Sequence, residues 1–459
     1  MVYQATANVA NSISMLKGIG DSLAQFRTGL FWFHNDLRLH DHPALAQACK
    51  QCEQLLCVVT IDNSGFNTSR YGLTQISALR QTFIAESVNA LAEQLAAYGQ
   101  QLLVLQGQPL NDISELLAKY NVDAVFRSHS QDYYHNQRWQ KLQRRYPFLH
   151  FAEYTTTSLF SEQQLPCDLQ NWPDTFSKFR RKLDQQQPPQ PLEAIETLPA
   201  TPLKTSTQRL PVAADTSSEL FHGGEQPALQ KLKRYFSSQL PQSYQQTRNH
   251  FDDPQGSTYF SAWLANGSLS ARQVVAELRR HEARFGANKS TNWIYFELLW
   301  REYFYWYAVA HGTKLFQFSG IKAQPPRTSF YPQRFAKWCS GNTPYPIVNA
   351  SMRQLRQTGY LSNRARQLVA SCLVHELAID WRYGAAYFEQ QLVDYDVSSN
   401  WGNWQYLAGV GADPRGHRHF DLVKQTQMYD PDHAFIQRWQ GNAHDQALDI
   451  NDAADWPIQ

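Results

Sequence analysis

Four short clusters in the second half of the chain carry side chains whose types and spacing suit chemistry. The run Asp394-Tyr395-Asp396-Val397-Ser398-Ser399-Asn400-Trp401-Gly402-Asn403-Trp404 sets two carboxylates two residues apart, then an asparagine, then a tryptophan. A carboxylate is buried only against a partner or a ligand. Such a pair suits ribose hydroxyls, and the asparagine suits a ring nitrogen. In Glu297-Leu298-Leu299-Trp300-Arg301, the residues Glu297, Trp300 and Arg301 stand at i, i+3 and i+4, one face of a helix. Gly256-Ser257-Thr258-Tyr259-Phe260-Ser261 precedes a helix expected to begin near Ala262. Hydroxyls there cap free N–H groups or hold a phosphate, and by themselves they favour capping. Gly359-Tyr360-Leu361-Ser362-Asn363-Arg364-Ala365-Arg366-Gln367 opens a helix expected to run to about Leu377.

Two kinds of chain must position these clusters. The first 155 residues alternate apolar runs with helical patterns. Strands are expected at Leu30–Phe33, Leu55–Ile61, Gln101–Leu105, Asp123–Arg127 and His150–Tyr154, and the clearest helix runs from Thr74 to Tyr98. Strands alternating with helices predict a doubly wound parallel sheet, so the fold class is α/β plus all-α. Neither G-x-G-x-x-G nor a Walker A sequence is present. Residues 161–225, rich in Pro, Gln, Ser and Thr, read as a long connector. From about residue 226 the pattern is helical, and ten of the thirteen tryptophans follow residue 240. The expected division is 28–160 for the sheet domain, 161–225 for the connector and 226–459 for the helical domain.

Composition sets the class. With 42% hydrophobic and 18% charged residues the chain is an ordinary globular protein, and no apolar run reaches the ~20 residues of a membrane span. Six scattered cysteines, with Cys49 and Cys52 closing a helical pattern, read as reduced thiols of an intracellular, cytoplasmic protein. Residues 1–27 lack a secretory signal, although organelle targeting remains an alternative reading. No metal is expected. Net charge is only +2, but the 73 residues from Tyr303 to His375 hold nine Lys or Arg and no Asp or Glu, which suggests a face toward phosphates. A solvated surface balanced by the acidic tail, residues 430–459, is the plainer alternative.

The ordered set STYFS, ELLWREY, WCSGNTPYPIVNASMRQL, GYLSNRARQ, AIDWRYG and DYDVSSNWGNWQY resembles the photolyase/cryptochrome family, with LFWFHNDLRLHDHPAL and MYDPDHAFIQRW as opening and close. The resemblance spans about residues 28–440. WPDTFSKFRRKL, NRARQ, NWGNWQY and VKQ are most similar to the DASH cryptochromes. It implies a helical FAD-binding domain, an antenna domain holding a folate (methenyltetrahydrofolate), and light-driven repair of cyclobutane pyrimidine dimers, preferentially in single-stranded DNA, by a monomer. By motif position, Tyr244, Ser257, Thr258 and Ser261 would hold FAD phosphates, with Phe260 and Arg301 in the same cofactor-binding set. Asp394 and Asp396 would reach ribose and isoalloxazine, Asn400 would face flavin N5, and Arg366 would pair with Asp394. Glu297 and Asn363 would contact the dimer, Trp300 would stack on it, and Gln367 and Tyr406 would complete the pocket. Trp404 and Trp381 would carry electrons to the flavin, and Glu86 would touch the antenna.

Five positions depart from the family pattern. Thr328 stands where an outermost chain tryptophan is usual, leaving Tyr331 or Trp338 as candidate ends. Gln367 and Tyr406 replace the Met and Trp of duplex-repairing enzymes, a DASH-like trait. His34 replaces an Arg, and Asn349 an Asp. Ser362-Asn363 stands where a (6-4) photolyase would carry a His pair, which counts against that activity. A signalling photoreceptor with little repair activity is the alternative from a different class.

Overall fold

The computed structural model describes residues 24–74, 76–183, 186–204, 209–212, 220–415, 418–442 and 448. The targeting reading of residues 1–27 falls mostly, and that of the acidic tail partly, outside the described residues. Strands and helices alternate as β1 (Phe26–Phe33), α1 (Pro43–Gln51), β2 (Cys52–Asp62), α2 (Ala78–Ala97), β3 (Leu102–Gly107), α3 (Pro109–Lys119), β4 (Ala124–Ser128), α4 (Tyr133–Arg145) and β5 (His150–Tyr154). The five strands form one parallel sheet in the order β3-β2-β1-β4-β5. Along β1, Phe31 and Phe33 pack with Leu45 of α1 and Leu91 of α2, while Leu30 and Trp32 pack on the other face with Ile113 of α3 and Trp139 of α4. Both faces are covered, which is why these strands read as apolar runs rather than alternations.

The expected helix from Thr74 starts instead at Ala78. Ser77 caps it, accepting from the Arg80 amide, and the Thr74 hydroxyl accepts from Gln390 at 2.7 Å. Cys49 lies in α1 and Cys52 opens β2, so the C-x-x-C straddles a helix–strand junction; all six thiols are free.

The segment 161–225 is not the aperiodic strap its composition suggests. It contains two 3₁₀ turns (Glu162–Gln164 and Leu169–Asn171) and a helix, α5 (Phe176–Leu183). Phe176, Phe179 and Leu183, at i, i+3 and i+7, are buried together with Trp172 in the core of the helical half. That stripe is a helical period, masked in the sequence by the four basic residues around it.

The helical half comprises α6 (Glu225–Phe236), α7 (Tyr244–Thr247), α8 (Ser261–Asn266), α9 (Ala271–Phe285), α10 (Lys289–His311), α11 (Pro332–Ser340), α12 (Pro346–Thr358), α13 (Asn363–Ser371), α14 (Trp381–Gln391), α15 (Val397–Leu407), α16 (Leu422–Tyr429) and α17 (Ala434–Arg438). Helix α13 stops short of Leu377 as an α-helix and continues as a wider π turn, Cys372–Glu376. Buried polar groups lock the halves together. Arg38, wholly buried, donates to the carbonyls of His40, Asp41, Thr156 and Gly267. Glu225 at the start of α6 accepts from the amides of Leu39 and His40 at 3.0 Å each.

Candidate functional site

The amino-terminal approach to α8, the middle of α10, the start of α13 and the start of α15 converge on one cavity of about 530 Å³. Local sequence explains each placement. Tyr259 adopts a left-handed φ of +57°, which turns the chain sharply before α8 and sets Ser257, Thr258 and Ser261 along the cavity wall. Asn288 caps α10, accepting from the amides of Ser290 and Thr291, and so fixes which face presents Glu297, Trp300 and Arg301. Ser362 caps α13 and Asp396 caps α15. Gly402 is required where α15 meets α10: a Cβ there would stand 2.4 Å from the Phe304 ring.

Tyr244, Ser257, Thr258, Phe260, Ser261, Glu297, Trp300, Arg301, Asn363, Arg366, Gln367, Asp394, Asp396, Asn400, Trp404 and Tyr406 all line this cavity. Arg366 donates to Asp394 Oδ2 at 2.7 Å, while Asp394 Oδ1 is buried without a hydrogen-bond partner. Asp396 is occupied on both oxygens, by Gln131 at 2.9 Å and by Ser398 and the Ser399 amide. Asn400 donates to the Ala385 carbonyl at 3.0 Å, which orients its amide. Arg301 donates to the carbonyls of Thr157 and Leu264, so it braces the wall through backbone contacts.

Also on the cavity wall, Glu297 pairs with Arg248 at 2.5 Å and accepts from the Trp293 indole at 2.9 Å. Burial raises the Glu297 carboxyl above its ordinary range, against the pull of Arg248 and of its hydrogen bonds. The Trp300 ring lies parallel to Phe176 of α5, with centroids 3.9 Å apart and planes at 13°. A side chain from the connector therefore already covers one face of the tryptophan expected to stack on the substrate.

Trp404 lines the cavity, but Trp381 does not; it is wholly buried, donates to the Phe318 carbonyl and meets Trp401 at 5.8 Å. Trp338 is wholly buried with its centroid 6.3 Å from that of Trp404. Tyr331 is buried under the Arg334 guanidinium. Glu86 also lies away from the cavity and accepts from the Gly223 amide at 2.6 Å.

Two departures acquire structural roles. Asn349, wholly buried, clamps the turn before α12 by accepting from Thr343 N and Oγ1 and donating to the Thr343 and Gly441 carbonyls. His34 stacks on His135 with centroids 3.2 Å apart, and burial lowers its pKa to about 4.

Sequence reasoning missed Arg248, Gln131 and Phe176, because each meets its site partner across at least 49 residues of chain and no local pattern announces it. The acid-free stretch is also not one phosphate face. Arg366 is spent on Asp394, Lys322 on the Gly409 and Asp413 carbonyls, Arg334 on the Leu377 carbonyl and Arg353 on the Gln440 carbonyl.

Sequence models of known families match most of the described chain: the DNA photolyase model over residues 29–200 and the FAD binding domain of DNA photolyase over residues 293–447. The chain is 52% identical to a cryptochrome DASH of Idiomarina loihiensis, over 95% of this chain and 98% of that one. This chain belongs to the photolyase/cryptochrome family. The solved cryptochrome of Synechocystis sp. superposes with a TM-score of 0.85 at 36% identity, covering 90% of this chain and 88% of that one. A bacterial class III photolyase from Agrobacterium tumefaciens superposes with a TM-score of 0.79 at 26% identity, covering 92% and 88%.

As a photolyase/cryptochrome flavoprotein, the chain has FAD as its cofactor. The cavity fits that group on its own chemistry. A buried carboxylate oxygen of Asp394 lacks a donor, the buried Arg248 Nε lacks an acceptor, and hydroxyls gather at the start of α8. Among the described residues, no helix is long and apolar enough to cross a membrane.

Proposed function

We propose that the protein is a blue-light-dependent photolyase of DASH type that splits cyclobutane pyrimidine dimers, preferentially in single-stranded DNA. The observation that carries this reading is the convergence of two chemistries on one cavity: the Asp394–Arg366 pair, and the Glu297–Arg248 pair with Asn363, Gln367, Trp300 and Tyr406. The chemistry that FAD would supply when bound and reduced is light-driven one-electron donation to the dimer, reversed once the dimer has split. The chain's residues do the rest. Ser257, Thr258, Ser261 and Tyr244 hold phosphates, and Phe260 and Arg301 shape that wall. Asp394 would accept a hydrogen bond from the cofactor through its free oxygen, and Arg366, paired with it, would favour a negatively charged reduced flavin. Asp396 keeps the capped start of α15 in place, and that helix carries Asn400 to the cavity wall, where it would face the flavin. Glu297, with its raised pKa, and Asn363 present hydrogen bonds to the pyrimidine carbonyls, while Trp300, held flat by Phe176, offers its edge and remaining surface to the lesion.

Trp404 is the inner electron relay and Trp381 a further link. Methenyltetrahydrofolate near Glu86 is the antenna we infer from the resemblance, and the protein acts as a monomer in the cytoplasm. The division at 28–160, 161–225 and 226–459 stands as a proposal in which the connector contributes α5 to the site.

The test is dimer loss under blue light, with FAD reduced, on a single-stranded oligonucleotide holding one thymine dimer. Repair in light and none in darkness is the expected result. No repair with FAD bound and reduced would overturn the reading and leave a photoreceptor.

A further inference from the structure

Between β4 and α4, at the carboxyl end of the sheet where such folds present their binding side chains, the chain from His129 to Asp132 turns toward the helical half. It is anchored on its own side. Asp132 caps α4 by accepting from the amides of Tyr134 and His135, and the Ser130 carbonyl accepts from Asn136 at 2.8 Å. Gln131, buried in this turn, donates its carboxamide to Asp396 Oδ2 at 2.9 Å. Asp396 Oδ1 takes the Ser398 hydroxyl at 2.6 Å and the Ser399 amide at 2.7 Å, so one oxygen serves its own helix and the other faces Gln131. The Asp396 carbonyl accepts from the Asn400 amide at 2.8 Å and closes the first turn of α15. Asp396 and Asn400 both line the cavity, whereas Gln131 does not.

We infer that Gln131 is a positioning residue of the flavin site, through which the docking of the sheet half sets the start of α15. It stays outside the cavity and acts through Asp396, which it holds turned back as the cap of the helix that seats Asn400. A buried carboxylate oxygen stripped of its donor is costly, and rotation toward the cavity relieves that cost at the expense of the cap. The bond joins residues 265 apart, so the two halves must be docked for the pocket to take its shape. This rests on the reading above for Asn400 facing the ring. Retention of FAD in darkness does not depend on repair.

The test is release of FAD from diluted holoprotein in darkness, followed by the recovery of free-flavin fluorescence. Gln131→Met keeps the length of the side chain and loses the donor. It should weaken FAD binding about tenfold and blur the fine structure of the bound flavin's absorption band. Gln131→Glu, which sets a second carboxylate against Asp396, should weaken binding further. Tyr305→Phe is the control, because it removes from the same interface a hydroxyl that meets His129 Nδ1 at 2.8 Å and the His129 carbonyl at 3.1 Å. It should lower the melting temperature yet leave FAD affinity within about twofold. Asp396→Ser still caps a helix but is too short to reach Gln131, and in that background Gln131→Met should add less than about twofold.

Wild-type FAD affinity in Gln131→Met would overturn the inference. So would an equal loss in Tyr305→Phe, or an undiminished loss in the Asp396→Ser background. If Gln131→Met does not fold, Gln131→Asn, whose amide is withdrawn by one methylene, carries the same comparison. If no form repairs any dimer, the repair reading falls while FAD release still decides the role of Gln131.

Discussion

At the residue scale, the most exposed commitment is Asp394. One oxygen is held by Arg366 at 2.7 Å and the other is buried without a donor. Asp394→Asn keeps the volume but removes the charge and should lower FAD affinity by about 3 kcal/mol, over a hundredfold. The flavin absorbance per mole of purified, folded protein measures it, and wild-type flavin content would show that Asp394 does not hold the cofactor. Electron supply is a second residue-scale matter. Trp404→Phe should remove most photoreduction of bound FAD with little loss of binding, because the indole rather than its volume carries the electron. Beyond it, the structure separates the two candidates raised by Thr328: Trp338 touches Trp404, whereas Tyr331 packs under Arg334. Trp338→Phe should therefore slow photoreduction more than Tyr331→Phe, and the reverse order in transient absorption would refute the assignment.

Elements hold these residues through close approaches and capping. Gly384 of α14 is pressed against Trp404 of α15, and a Cβ there would stand 2.2 Å from its ring. Gly384→Ala should displace Trp404 and cost about 1–3 kcal/mol in denaturant unfolding. Full stability with wild-type photoreduction would mean that the helix pair has slack. The joint between β1 and α6 responds to pH. The His40 ring hydrogen-bonds Glu225 at 2.9 Å, which raises the pKa of His40 and lowers that of Glu225. A histidine raised in the folded state contributes stability that is fully present below its unfolded value, about 6.5, and is lost as pH rises through the folded value. The gap in melting temperature between wild type and His40→Gln should therefore be wider at about pH 6 than at about pH 8.5. His40 is partly exposed, so the gap should also narrow in high salt. An unchanged gap would show that Glu225 acts on the Leu39 and His40 amides alone.

For the whole molecule, the central prediction is substrate choice. A dimer in duplex must leave the stack, which costs a few kcal/mol that a single strand does not demand. Enzymes that act on duplex offset that cost by packing tightly on the extruded dimer. Here Gln367 and Tyr406 line the cavity, and Arg418 covers the Tyr406 ring. If about 2–3 kcal/mol of packing is missing, duplex binding should be about 30- to 100-fold weaker than single-strand binding. Matched oligonucleotides carrying one thymine dimer measure the ratio, and equal repair rates on both would remove the single-strand preference.

Sequence by itself determined the alternation of strands and helices in the first 155 residues, the helical character of the second half and much of the cavity's inventory, though not α5 or Arg248. The strand runs are apolar because both sheet faces are covered, and the helix starts carry Ser77, Asn288, Ser362 and Asp396 because free amides need acceptors; both requirements act over a few residues and so are written locally. The carboxylates and hydroxyls of the cavity were legible for a similar reason, since such groups within helical segments need a partner, whereas Tyr244, Gln367 and Tyr406 were reached only through the resemblance to the family. What only the tertiary structure decided is pairing across distance. Phe176 on Trp300, Arg248 on Glu297, Gln131 on Asp396 and Trp338 on Trp404 join segments 49 to 265 residues apart. The same holds for the cations: a stretch without acids looked like one surface, yet helix rotation sends some of its arginines inward to carbonyls and to Asp394. Side-chain direction in a helix follows from packing against other elements, and that packing exists only once the chain has folded.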